Sequence, residues 1–176
     1  KNNPRKFCPP ALDADWFRGL GAEESAGQFT VELPQGWQTV ETPVQFPVCK
    51  GRTPAWVQYV QSRRLEVTCG EAPFLASRYD AATGEMIPVA RRIGILDRKL
   101  RVVSENAATE DEWRKYATHA VQSTYGYEYQ GDNLLLARVN LLLTYAEHLQ
   151  ARWQRKPTKE ELQPIATIIS WNLWQM

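Results

Sequence analysis

Strand-like and helix-like segments alternate over the second two thirds of the chain, and this alternation most constrains the fold. Residues 65–68 and 123–129 carry the β-branched and aromatic residues typical of strands. Apolar residues spaced three and four apart predict helices elsewhere, over residues 56–60, 74–79, 95–103, 113–121, 134–153 and 162–169. Strands that alternate with helices form mostly parallel sheets covered on both faces, so the expected fold class is α/β.

The first 50 residues have a different pattern, because prolines and glycines interrupt every short apolar run. Residues 29–33 alternate in polarity and predict one short strand. We therefore expect two parts: an irregular N-terminal arm with short strands over residues 1–50, and a folded domain over residues 51–176.

Composition narrows the class of protein. The chain has 176 residues, 43% hydrophobic and 23% charged, which argues against disorder. It contains no run of about 18 apolar residues, so no membrane span is expected. Three cysteines without a Cys-x-x-Cys pair argue against zinc and predict a cytoplasmic location. A net charge of +1 neither indicates nor excludes a nucleic-acid partner.

Two predicted strand ends carry suggestive chemistry. Residues 68–74 follow the first strand, and there Gly70 lets a ligand approach the backbone closely. Glu128 ends the second strand, and its carboxylate can accept hydrogen bonds from both hydroxyls of a ribose. Ligands of α/β sheets bind at the carboxyl ends of strands, so the two segments together indicate a site for an adenosine-containing ligand. The alternatives are an ordinary turn at Gly70 and a helix cap at Glu128.

Two segments near the first predicted strand resemble motifs of a known family. Residues 65–75 (LEVTCGEAPFL) are similar to the first cofactor motif of amino-methylating DNA methyltransferases, whose usual form is acidic-x-x-Cys/Gly-Gly-x-Gly-x-Phe-Leu. Thr53-Pro54 resembles the Thr-Pro motif that precedes it and contacts the methionine part of the cofactor. From the residues alone, Thr53 is also expected to cap the following helix.

The resemblance continues downstream. Residues 125–133 (YGYEYQGDN) are similar to the family's second motif, in which an acid, here Glu128, holds the ribose. Residues 169–176 lie where the third motif, which lines the adenine, begins. The run over residues 56–176 resembles the methylase subunits of restriction-modification systems.

The resemblance implies a Rossmann-like, S-adenosylmethionine-dependent methyltransferase fold, of which residues 51–176 are the cofactor-binding portion. It implies S-adenosylmethionine as cofactor and, through the complete protein, methylation of adenine N6 or cytosine N4 in double-stranded DNA. A restriction endonuclease or a specificity subunit is a possible partner. The implied cofactor-binding residues are Thr53, Thr68, Cys69, Gly70, Glu71, Ala72, Phe74, Glu128 and Tyr129.

The chain departs from the family's pattern in three ways. Ala72 stands where the motif has its second glycine, and 58 positions separate Gly70 from Glu128. The catalytic Asn/Asp-Pro-Pro-Tyr/Phe motif is absent from the 176 residues. We therefore predict no catalytic residue and no activity for this chain alone. The alternatives are a non-catalytic binding or specificity subunit with the same fold and a dinucleotide-dependent oxidoreductase, against which the missing Gly-x-Gly-x-x-Gly argues.

The remaining chemistry-bearing residues have ordinary interpretations. The two histidines have no partner at metal-ligand spacing, so no metal site is predicted. The basic residues between 91 and 101 predict a solvated face, with contact to DNA phosphates as the alternative. Periodicity places four tryptophans in the core: Trp113, Trp153, Trp171 and Trp174.

Overall fold

The computed structural model of the chain describes residues 23–25, 28–30, 53–80 and 82–176. In the arm, β1 (Glu23–Ser25) and β2 (Gln28–Thr30) pair as an antiparallel ladder. The strand predicted over residues 29–33 is thus described only to residue 30. Most of the predicted arm lies outside the described residues.

From Thr53 onward, helices and strands alternate as the sequence predicts. The strands β3, β4 and β5 form a parallel three-stranded sheet in that order. The elements are α1 (Ala55–Gln61), β3 (Arg64–Val67), a 3-10 turn (Val89–Arg91), α2 (Ile95–Asn106), α3 (Glu110–Gln122), β4 (Thr124–Glu128), α4 (Gly131–Trp153), α5 (Lys159–Asn172) and β5 (Leu173–Gln175). The predicted α/β class with a parallel sheet is confirmed.

The sheet has one covered and one exposed face, because successive side chains of a strand point to opposite sides. The covered face carries Glu66, Thr124, Gly126, Glu128 and Leu173, all buried. The strand register places on the other face Leu65, Val67, Tyr125, Tyr127 and Trp174. Val67 is 57% exposed and Trp174 is 52% exposed. The prediction that helices cover both faces is therefore wrong for the described part of the chain.

Charged side chains of α2 lie in the interior. Asp97 and Lys99 are buried there, together with the neighbouring Arg98. The Asp97 carboxylate accepts from the Ser77 N–H at 2.8 Å and lies 3.1 Å from Nε2 of His148. The basic run is thus part of the core around α2, and the prediction of a solvated or phosphate-contacting face is wrong for Arg98 and Lys99. Buried charges persist only with such partners.

Lys99 also joins α2 to the end of α1 and the start of β4. Its ammonium donates to the carbonyl of Ser62 at 2.7 Å and to the hydroxyl of Ser123 at 2.6 Å. These two residues follow α1 and precede β4, so a single side chain holds both to α2.

The helix predicted over residues 74–79 does not form. A turn over residues 73–75 leads instead into backbone without regular secondary structure. The carbonyls of Phe74 and Leu75 accept from the first two N–H groups of α2, those of Ile95 and Leu96, at 2.7 and 2.8 Å. Tertiary contacts that satisfy the start of α2 have overridden the local helix pattern.

Helix α4 is apolar around much of its circumference, and the predicted inner face is correct only in part. Of the residues predicted there, Leu149 is buried and Leu142 packs against the core, whereas Leu135, Val139 and Leu143 are exposed. The buried stripe includes Leu134, Ala137, Asn140, Leu141, Tyr145, His148 and Leu149. Of the predicted core tryptophans, Trp113 is buried, whereas Trp171 and Trp174 are exposed. None of the helices in the described part of the chain combines the length and the apolarity needed to cross a membrane.

Caps and a buried amide fix the last helix. Thr158 and Glu161 form the predicted capping box at the start of α5. At its other end, the Asn172 amide nitrogen lies 2.9 Å from the Val121 carbonyl and 3.1 Å from the Gln122 and Thr124 carbonyls. Asn172 thus binds the end of α3 and the start of β4 to α5.

Replacing Asn172 by Ala should lower the free energy of unfolding by about 1–3 kcal/mol, because buried carbonyls lose their donor. Denaturant unfolding measures this difference. The half-buried amide of Asn133, which donates to the Gln130 side chain at 3.2 Å and to the Glu128 carboxylate but to no buried carbonyl, provides the control Asn133→Ala. Equal effects of the two substitutions would contradict the role given to Asn172.

Candidate functional site

The two predicted strand ends meet at one edge of the sheet. The Cys69 N–H donates to the Tyr127 carbonyl at 2.8 Å and extends the parallel ladder past β3. The next N–H, that of Gly70, donates to Oε2 of Glu128 at 2.7 Å. Residues 58 positions apart in the sequence are therefore in direct contact where a ligand site was expected.

Glu128 connects β3 to the start of α4 through both of its oxygens. Its Oε1 accepts from the Gln130 N–H at 3.0 Å, while Oε2 accepts from Gly70. The hydrogen bonds from Gln130 and Gly70 hold the pKa of the Glu128 carboxyl below its usual range, so the group is an anion at neutral pH. The side chain of Asn133 and the backbone N–H of Tyr129 also donate to this carboxylate and contribute to the lowered pKa.

The turn after β3 has an unusual backbone. Thr68, Gly70 and Ala72 all have positive φ, at 59°, 56° and 64°. This conformation costs about 1–3 kcal/mol for residues with a side chain, so surrounding contacts must hold it. Ala72, which replaces the motif's second glycine, adopts a conformation that glycine favours. A Cβ built on Gly70 meets no atom within 4 Å, so open space adjoins its backbone.

Gly126 brings the turn close to β4. A Cβ at this position would lie 3.0 Å from the sulfur of Cys69 and 3.1 Å from a methyl group of Leu75. The absent side chain thus gives room for the turn to pack over the strand.

Two side chains from distant elements hold Glu71. The Tyr79 hydroxyl donates to Oε2 of its carboxylate. The Asn140 amide, from the middle of α4, donates to its backbone carbonyl at 2.9 Å. The sequence analysis missed both residues. An available signal was Asn140 itself, an amide in the apolar centre of a long helix.

Two arginines form ion pairs next to the contact between Asn140 and Glu71. Arg78 donates to the Asn140 amide oxygen at 3.1 Å and to both carboxylate oxygens of Glu147. Arg92 pairs with the same carboxylate. Asn140 is therefore held on one side by Arg78 and holds Glu71 on the other.

The other predicted site residues lie farther from this contact or play different parts. Thr53 is exposed, and its carbonyl accepts from the Gln58 side chain. Its expected role as a side-chain cap is wrong, because Pro54 is the N-cap residue of α1 and no side chain caps this helix. Phe74 is half-buried, and its backbone carbonyl accepts from the first N–H of α2. Tyr129, 77% exposed beside Glu128, accepts through its carbonyl from the Gln175 side chain at 3.0 Å.

Two ionisable groups lie behind the turn in their neutral forms. Burial raises the pKa of the Glu66 carboxyl to about 8, and its Oε2 has no hydrogen-bond partner among the described residues. Burial, followed by the charges of Glu66 and Glu128, raises the pKa of the Cys69 thiol to about 12. Cys69 therefore stays protonated and is a packing residue, not a nucleophile.

Within the described ranges, no three His, Cys, Asp or Glu side chains lie close enough together to hold a metal ion. Comparison with known proteins identifies no relative: no family model, no curated protein and no solved structure matches the chain.

The raised pKa of Glu66 should make stability depend on pH. Above pH 4.5 the unfolded chain releases this proton, whereas the folded chain keeps it up to about pH 8, so stability is lost between these values. Glu66→Gln should therefore stabilise the protein by about 1–3 kcal/mol at pH 8 and have little effect at pH 4. Urea unfolding at both pH values measures the difference.

The exposed Glu85 provides the control Glu85→Gln, which removes a charge without removing a buried group. A stability gain from Glu66→Gln that is the same at pH 4 and pH 8 would show that the carboxyl is not held neutral by the fold.

Proposed function

We propose that this chain is the S-adenosylmethionine-binding portion of a DNA amino-methyltransferase of a restriction-modification system, with a Rossmann-like fold. The observation that carries the proposal is the 2.7 Å hydrogen bond between the Gly70 N–H and the Glu128 carboxylate. It joins the two segments that resemble the family's first and second cofactor motifs. The parallel order β3-β4-β5 supports the same assignment.

The ligand would lie over the carboxyl edge of the sheet. The open space beside Gly70 would admit the ligand against the backbone. The Glu128 carboxylate would accept hydrogen bonds from the ribose hydroxyls. Gln175, whose side chain donates to the Tyr129 carbonyl, ends β5 on the side proposed for the adenine.

The complete protein would transfer the methyl group of the sulfonium to an exocyclic amine of adenine or cytosine in double-stranded DNA. Such a transfer is an in-line displacement, in which positioning of the two reactants supplies most of the rate enhancement. The Asn-Pro-Pro-Tyr-type motif that would bind the flipped base is not among these 176 residues. We therefore propose that this chain binds cofactor without catalysing the transfer by itself.

One observation favours a second candidate, a non-catalytic binding or specificity subunit with the same fold. The exposed sheet face combines apolar and aromatic side chains, which monomeric proteins seldom expose in a contiguous patch. Parallel sheets are normally covered on both faces, so a partner surface is a reasonable function for this one. This candidate needs no cofactor at the Gly70–Glu128 edge, and ligand binding therefore separates the two.

Calorimetry with S-adenosylhomocysteine, the stable demethylated product, tests the proposal. The wild-type chain should bind it, and Gly70→Ala should weaken binding at least tenfold because the new methyl group enters the ligand's space. Gly84→Ala is a matched control, since Gly84 also has positive φ and no atom within 4 Å of a built Cβ. Both substitutions should cost about 1–2 kcal/mol of stability through backbone strain.

Equal ligand affinity for the Gly70→Ala and Gly84→Ala variants would contradict a site at Gly70. If the folded wild-type chain binds no S-adenosylhomocysteine, the proposal is wrong and the non-catalytic subunit is favoured.

A further inference from the structure

Strand β3 lies at one edge of the parallel sheet. It pairs with β4 on one side, and its other side, called the free edge below, has no strand partner in the described part of the chain. We propose that the free edge pairs, antiparallel, with the free edge of a second copy of this chain, with Leu65 of each copy at the centre. This inference goes beyond the proposed function, because it concerns an interaction surface and does not involve the cofactor site.

The backbone of β3 presents hydrogen-bonding groups to the free edge. The Arg64 N–H donates to the Ser123 carbonyl at 2.9 Å. Arg64 and Glu66 therefore direct their N–H and C=O groups toward β4. The alternating residues, Leu65 and Val67, direct theirs toward the free edge. A row of backbone groups of this kind is a template for pairing with a strand of another chain.

Two side chains of β3 with complementary chemistry lack partners. Oε2 of Glu66, a residue that is 5% exposed, and Nη2 of Arg64 are both buried, and neither has a hydrogen-bond partner among the described residues. Through Nη1, the Arg64 guanidinium donates only to the neighbouring Arg63 carbonyl, at 3.3 Å. Buried polar atoms without partners cost free energy. A contact that supplies a donor to Glu66 and an acceptor to Arg64 would therefore be stabilising.

The register of the pairing decides whether the two side chains meet. Residues that point to the free edge must form the hydrogen-bonded pairs, so the two-fold axis passes through Arg64, Leu65 or Glu66. An axis at Arg64 or Glu66 places like groups opposite each other. An axis at Leu65 places Arg64 of each copy opposite Glu66 of the other, in positions where Cα atoms are about 4.5 Å apart and side chains lie close. Charge complementarity therefore selects the axis at Leu65.

The second copy would also supply the charge that Glu66 lacks. In the single chain, burial alone raises the pKa of this carboxyl to about 8. A guanidinium opposite it favours the ionised form, and two-fold symmetry produces the same ion pair twice. The two three-stranded sheets would become one continuous sheet. Because only β3 pairs directly, the buried area is small, and association in the micromolar range is expected.

Sedimentation equilibrium of the whole chain at several concentrations tests the charge pairing. The wild-type chain should dimerise, and Arg64→Glu and Glu66→Arg should each weaken the dimer about 10- to 100-fold, because like charges then face each other. An equal mixture of the two variants should associate as the wild type does, since each acidic side chain again faces a basic one. Lys156→Glu, a charge reversal at an exposed position between α4 and α5, is the matched control and should change nothing.

Disulfide trapping tests the register without changing a charge. Leu65, which is 40% exposed, would face its counterpart at a Cα distance of about 5.5 Å, within the range that a disulfide spans. Oxidation of Leu65→Cys should therefore give a covalent dimer. In the same register Val67 lies about 14 Å along the strand from its counterpart. Val67→Cys, on the same face and 57% exposed, should give only the background of the wild-type cysteines. Thermal unfolding checks that each variant is folded.

Several outcomes would overturn the inference. A wild-type chain that stays monomeric at the concentrations used for NMR has no such dimer, and protection of the Leu65 and Val67 N–H groups from hydrogen exchange in that monomer would assign the free edge to another segment of the chain. A dimer that Arg64→Glu leaves unchanged, or equal trapping of Leu65→Cys and Val67→Cys, would show a different interface. Failure of the two folded charge variants to associate when mixed would also contradict it. If Glu66→Arg does not fold, Arg64→Glu and the two cysteine variants decide the question.

Discussion

The carboxylate of Glu128 joins the ends of two neighbouring strands, and the geometry of the candidate site depends on that contact. One oxygen accepts from the turn after β3 and the other accepts at the start of α4. The turn itself contains two residues with side chains at positive φ, Thr68 and Ala72, which ordinary backbone preferences disfavour. The contact with Glu128 and the hydrogen bonds to Glu71 hold this conformation.

The interior behind the turn contains several buried polar and charged side chains. Asp97 and His148 are buried next to each other, and Lys99 donates into the junction of α1 and β4. Such groups cost free energy when buried and are retained where every partner is supplied. Because Asp97 also binds the Ser77 N–H, the same interactions fix the segment that leads to Tyr79. The fold and the site therefore share one set of polar contacts.

The sequence predicted what local patterns determine and missed what distant contacts determine. The meeting of Gly70 and Glu128 was predictable, because both lie at carboxyl ends of strands and such ends share one edge of a parallel sheet. The segment around Phe74 was mispredicted as helix, because its carbonyls cap α2 instead of the next turn of their own helix. Tyr79 and Asn140 could not be assigned to Glu71, because no local spacing reports a contact between a loop and the middle of α4. The exposed face of the sheet was missed because alternation of strands and helices does not show how many helices lie on each side.

The most direct test of the account is a titration of the isotopically labelled chain with S-adenosylhomocysteine, followed through the backbone amide resonances in NMR spectra. The Gly70 and Gln130 N–H groups, which both donate to Glu128, report on that carboxylate separately. The account predicts that these two resonances and those of their neighbours shift most, while the Gly84 resonance stays unchanged. Shifts confined to other parts of the chain, or no shifts at saturating ligand, would contradict a cofactor site at the Gly70–Glu128 contact.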